Sequence, residues 1–331
     1  MNISKKIEVL NIVLILISLG LAFILPFELF LFSYAVLGPL HYLTEINWLN
    51  KKNFFLKDRK AMAVLLVITI VISLVSIFNL SQQKDIYLKF ISHYSRLFTS
   101  ILILTGFFYS MAMVLIATRK RIISALLASF GISIFILKFI PYSFIIVGLF
   151  LPTIIHVYLF TLFFMWLGAI KNKSIYGMFA IVLMCSVPLI IFFFPGNKIY
   201  YCSSNEIEKI FLETRFQYLI IQVNKLFKFS EHIHFSFNSI AIIKIQTFLA
   251  FAYTYHYLNW FSKTSIIGWG KNISKKHLTY ILFFWILSMI IYYYNYRIGM
   301  TALFFFSMFH VIAEFPLNFL SLKEILFHKK S

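Results

Sequence analysis

Residues 143–169 read SFIIVGLFLPTIIHVYLFTLFFMWLGA. No Asp, Glu, Lys or Arg occurs between Lys138 and Lys171, and one histidine, His156, lies in the middle of the run. A hydrocarbon core about 30 Å thick is crossed by about 20 apolar residues rising 1.5 Å each. The stretch therefore reads as a membrane-spanning helix with length to spare, free to tilt or to kink at Pro152.

The same pattern recurs along the chain. Candidate spans fall at 9–26, 27–49, 61–80, 97–117, 122–137, 143–169, 174–195, 239–262, 278–296 and 298–320. Of the 331 residues 61% are hydrophobic and only 12% charged, about half the charged share of a soluble domain. The sequence predicts an all-α, polytopic transmembrane helical bundle of about ten spans, organised as a single membrane domain over 1–331. Lys5-Lys6 ahead of the first run resembles a signal peptide, but Leu21 to Phe30 offers no small-residue cleavage site, so the first helix is read as retained.

The net charge of +19 does not point to nucleic acid, because the basic residues stand in short clusters such as Lys51-Lys52 and Arg119-Lys120-Arg121 between apolar runs. With both termini in the cytoplasm, 19 Lys and Arg fall on the cytoplasmic side and 10 on the other. Five of those ten lie in the long 196–238 connection, where the positive-inside rule is weak. Apolar residues in that connection (Ile207, Ile210, Phe211, then Leu219, Ile220, Val223) recur at helical spacing, which predicts an amphipathic helix on the extracytoplasmic face. Pro26 between the first two spans predicts a tight turn. Cys185 and Cys202 lack any paired spacing and suggest neither a disulfide framework nor a thiolate site.

Four of the nine histidines, His41, His156, His256 and His310, fall inside predicted spans. The others, at 93, 232, 234, 277 and 328, fall in predicted loops or the tail. Glu45 follows His41 by four residues and Glu314 follows His310 by four, so each pair shares a helix face. Ionisable groups within a bilayer are costly and point to function, and a deep carboxylate needs a partner. By the ten-span reading all four histidines lie on helices running the same way, about 9–20 Å below the cytoplasmic boundary. Imidazole with carboxylate suits iron, zinc or manganese better than calcium or copper(I). His41, His156, His256 and His310 are thus candidate ligands, Fe(II) first and Zn or Mn next. Glu45 and Glu314 are candidate catalytic carboxylates, as added ligands, orienters of histidine or proton carriers. Thr44, Asn259 and Asn318 are candidates for orienting hydrogen bonds. Tyr42, Trp48, Tyr253, Tyr257, Trp260 and Phe309 surround these positions and would suit a flat or isoprenoid substrate.

Gly38-Pro39-Leu40-His41 with Glu45 resembles the membrane β-carotene dioxygenases of the Brp/Blh family, as does His310 followed by Glu314. His256 stands roughly where that family has its histidine-rich helix. The resemblance covers the histidine-bearing helices. It implies a multi-span enzyme that uses histidine-held iron to cleave a carotenoid. Pro39 and Leu40 are exchanged relative to the family, Val157-Tyr158 follows His156, and Trp260 stands where a second histidine would follow His256. The chain thus reads as a membrane metalloenzyme, an iron oxygenase or hydroxylase acting on a hydrophobic, lipid-like or carotenoid substrate in a bacterial inner membrane. The alternative class is a proton- or cation-coupled transporter using the His–Glu pairs. A haem protein with two axial histidines would leave two histidines and both glutamates without a role.

Overall fold

The computed structural model describes residues 3–81, 86–116, 121–140, 145–195, 201–231, 234–264 and 273–327. Among them every regular element is helical: α1 (Ile3–Ile24), α2 (Pro26–Phe32), a π turn (Ser33–Leu37), α3 (Gly38–Lys51), α4 (Arg59–Ser81), α5 (Ile86–Ile116), α6 (Ile122–Phe139), a long π-helix (Ile146–Phe160), α7 (Thr161–Asn172), α8 (Ile175–Phe193), α9 (Asn205–Thr214), α10 (Gln217–Phe227), α11 (Ile240–Lys263), α12 (Lys275–Tyr294) and α13 (Tyr296–Leu326), with a short 3₁₀ turn at Asn53–Phe55. Among the described residues nine helices are long and apolar enough to cross a membrane. The chain is an all-α, multi-pass membrane bundle.

The expected eighth span is where the count differs from ten. It forms a 24-residue helix, α11, but its composition is too polar to be numbered among the nine. It carries Lys244, Gln246, Thr247, Thr254, His256 and Asn259. The physical reason lies in its surroundings. Almost every residue from Ile242 to Tyr257 is buried, against α1, α2, the π turn, α8 and α10. A helix that shows no face to lipid is under no demand to be apolar all round.

Contacts group the chain into two compact units, residues 1–41 with 157–300, and residues 42–156 with 301–331. The first is built on α11. Leu25 leaves the helical region and Pro26 starts α2, giving the tight turn that Pro26 predicts. Gln246 donates to the Pro26 carbonyl at 2.9 Å. The π turn that follows is braced from three sides: Ser33 Oγ meets Thr254 Oγ1 at 2.7 Å, Trp285 Nε1 donates to Val36 O at 2.8 Å, and the Tyr296 hydroxyl donates to Leu31 O at 3.0 Å. A widened turn disturbs the backbone ladder, and in an apolar bundle its carbonyls need such donors.

Two further braces in this unit follow from sequence. Pro188 within α8 has no N–H for the Met184 carbonyl four residues back, and the Tyr158 hydroxyl donates to that carbonyl instead at 2.6 Å. Lys244 of α11 donates to Phe192 O at the end of α8 at 2.7 Å. The 196–238 connection does not form one amphipathic helix. It forms two, α9 and α10, because Arg215 adopts the left-handed region (φ 61°) and ends α9. Their apolar faces are buried through Phe211, Leu219, Ile220 and Val223, with Phe27 edge-on to Phe211 at 4.8 Å. Tyr201, ahead of α9, donates to both Glu28 carboxylate oxygens at 3.0 Å. Burial and that carboxylate hold its phenol well above the usual range.

The second unit pairs α5 with α4 and α6 and takes in the body of α13. Gly106 of α5 faces Leu65, Ile68 and Ile312, and Phe107 packs edge-on to Phe315 at 5.4 Å. The π-helix lies so close to α5 that a Cβ on Gly148 would collide with the Ser100 hydroxyl. Pro152, at which the sequence allows a tilt or a kink, lies within this widened helix, and Thr153 Oγ1 donates to the Leu149 carbonyl.

Tyr158→Phe should leave the Met184 carbonyl buried without a donor. The expected cost is about 1–3 kcal/mol, read as a lowered midpoint in thermal unfolding of the detergent-solubilised chain. An unchanged midpoint would show that another group reaches that carbonyl.

Candidate metal centre

Each unit carries one pair of histidines. In the first, the π turn hands the chain to Gly38-Pro39, and His41 faces His256 of α11 with the two Nε2 atoms 3.1 Å apart. His256 turns its Nδ1 to the Thr161 hydroxyl at 2.7 Å. Thr161 is the first residue of α7, where the π-helix returns to ordinary winding. With that hydroxyl accepting, the imidazole carries its proton on Nδ1 and directs its Nε2 lone pair toward His41. Tyr257 and Trp260 wall the pair, their rings 5.1 and 5.6 Å from that of His41. The Tyr257 hydroxyl lies against Gly38, where a Cβ would stand only 3.3 Å from it.

In the second unit, His156 from the π-helix faces His310 of α13, again with Nε2 atoms 3.1 Å apart. His156 Nδ1 stands 3.0 Å from a Glu314 carboxylate oxygen, at hydrogen-bond separation but off-line in angle. Glu45 reaches the Glu314 carboxyl by a side-chain hydrogen bond. The Tyr42 ring lies 5.8 Å from that of His310. All six ionisable residues are at least nine-tenths buried, His41 and His156 at 1% exposure, Glu45 at 1% and Glu314 at 3%.

One ligand nitrogen from each of His41, His156, His256 and His310 lies within 4.8 Å of the others, so the four make a buried group that can hold a metal ion. Bonds of 2.0–2.1 Å to one ion set neighbouring nitrogens about 2.9–3.4 Å apart, and the two 3.1 Å separations fall in that range. Two imidazole nitrogens at this distance share one proton or turn both lone pairs to a cation. The partners on Nδ1 favour the second arrangement at His156 and His256.

The four histidines marked by their place in apolar runs are thus brought together, with Glu45 and Glu314 beside the second pair. Thr161 is the orienting group that sequence reading did not single out. A threonine inside an apolar run gives no signal, since such hydroxyls commonly bond their own helix. Two of the candidates named for that role, Asn259 and Asn318, stand otherwise. Asn259 Oδ1 and both amide atoms of Asn318 have no hydrogen-bond partner among the described residues, and Thr44 is buried at 3% exposure. Of the remaining histidines, position 93 lies within α5 and His277 in the first turn of α12, both expected in loops. His234 is exposed in its loop, and positions 232 and 328 lie outside the described residues.

No family model, curated protein or solved structure matches the chain.

The second contact of His256 is open to direct test. Thr161→Val should weaken metal binding by about 10–100-fold, and Thr161→Ser should restore it, both read by competition with a chromophoric chelator. Equal affinity in all three proteins would remove the hydroxyl from any orienting role.

Proposed function

We propose that the chain is a membrane-embedded metalloenzyme in which His41, His156, His256 and His310 hold a divalent transition-metal ion, redox-active Fe(II) first and Zn or Mn next. The observation that carries this reading is the four-histidine group itself: buried in a helical membrane protein, with its nitrogens at ligand spacing. Structural packing of histidine explains one such residue, but it gives no reason for four to converge at a place where each is costly.

Imidazole donors select a first-row transition ion over Mg²⁺ or Ca²⁺. When bound, such an ion would supply redox chemistry toward O₂ in an apolar setting. The chain's own residues have separable roles. Thr161 holds His256, Glu314 stands against His156, and Glu45 supports Glu314. Hydrogen-bonded to each other through one proton, Glu45 and Glu314 together would offset one of the two charges of a divalent ion. Tyr42, Tyr257 and Trp260 line the histidine rings and suit an apolar, conjugated or isoprenoid substrate.

On these grounds, and from the resemblance of Gly38–Glu45 and His310–Glu314 to the β-carotene dioxygenases, the reaction is assigned as oxygenation of a lipid-like or carotenoid molecule by a bacterial inner-membrane protein. A cation in transit is better served by few, weak and hydrated contacts than by four imidazoles, so transport stands second.

Metal content decides the matter at its base. Elemental analysis of detergent-purified protein should find about one metal ion per chain, lost in the His41→Ala/His310→Ala double variant. A folded protein that stays metal-free after anaerobic purification with added ferrous iron would sink the oxygenase reading and bring transport forward.

A further inference from the structure

A line of buried polar groups continues from the second histidine pair along α13. His310, Glu314, Asn318 and Ser321 recur at intervals of four, four and three, so they share one helix face. Every one is buried, Asn318 at 5% exposure and Ser321 at 3%. Glu45 joins this line from α3 through Glu314. The rise from His310 to Ser321 is about 16 Å. Immediately beyond, Lys323 and Glu324 are exposed.

The line is not closed by the protein's own hydrogen bonds. Neither the oxygen nor the nitrogen of the Asn318 amide has a partner among the described residues. An amide buried without donor or acceptor is a standing cost, and in native proteins ordered water commonly removes it. Pro316, two residues earlier, gives no N–H to the Ile312 carbonyl, so the backbone along this stretch is also short of one internal bond.

A metal centre whose ligands are all at least nine-tenths buried must still be loaded. Resting on the metal reading above, we infer that the Glu45–Glu314–Asn318–Ser321 line is a hydrated access route by which a divalent cation and water reach the histidines from the C-terminal end of α13. The chemistry of the line fits that use. Hydroxyl, amide and carboxylate oxygens exchange with the water shell of a cation one ligand at a time, and imidazole then binds a transition ion more tightly. Between His310 and Lys323 α13 carries no Lys or Arg, so this helix sets no fixed positive charge against the ion within the line.

The test follows uptake of cobalt(II) by the metal-free full-length chain in detergent, through the visible absorption of the bound ion. Asn318→Leu should slow uptake at least tenfold and reach the same final occupancy, whereas Asn318→Asp should match or exceed the wild-type rate. Wild-type speed in Asn318→Leu would overturn the route. No cobalt uptake by the wild type would instead overturn the metal reading. The route is then judged by a measurement that needs no metal. In a background of Cys185→Ser and Cys202→Ser, Ser321→Cys should react with a water-borne methanethiosulfonate reagent. Ile72→Cys, fully buried in the same unit, should not. That labelling also decides the case should Asn318→Leu fail to fold, and a Ser321→Cys no more reactive than Ile72→Cys overturns the route.

Discussion

A polar group taken out of water needs a partner, and within a bilayer it finds one in the protein or not at all. Most of the unusual geometry here answers that demand. The π turn at Ser33–Leu37 is held by a tryptophan, a tyrosine and a serine–threonine pair. The carbonyl released by Pro188 takes the Tyr158 hydroxyl, and Lys244 of α11 closes the end of α8. The histidines obey the same rule. Each Nε2 faces another Nε2, and the Nδ1 atoms of His156 and His256 face a carboxylate and a hydroxyl.

Those last two partners differ in kind. His256 meets a neutral hydroxyl, and His156 stands beside an acid. A carboxylate behind an imidazole makes it a stronger donor than a hydroxyl does. The two pairs are therefore unequal in electron supply although their Nε2 separations are the same.

Much of this was legible from residues alone. Long apolar runs marked the helices, and histidines inside such runs marked the four-residue group, because packing accounts for one imidazole there and not for four. The four-residue spacing of His310 and Glu314 put both on one face, and the carboxylate does reach the second histidine pair. What was not legible arises from tertiary context. Hydropathy treats each helix as if it faced lipid, and α11 does not. No periodicity announces that Arg215 breaks a helix in two, or that the chain around Pro152 widens through fifteen residues. Thr161 acts because of where a helix changes its winding, and that is a property of three dimensions.

The polarity of α11 has a consequence for how the protein is made. A segment carrying Lys244, Gln246, His256 and Asn259 has little to gain by partitioning into lipid on its own. The helices that cover it, α1, α2 and α8, all precede it in the chain, as does α10. By the time α11 leaves the ribosome its neighbours have already been synthesised, and they offer a slot out of both water and lipid. The order of the gene thus does part of the folding: the most polar of the long helices arrives late, to a place prepared for it.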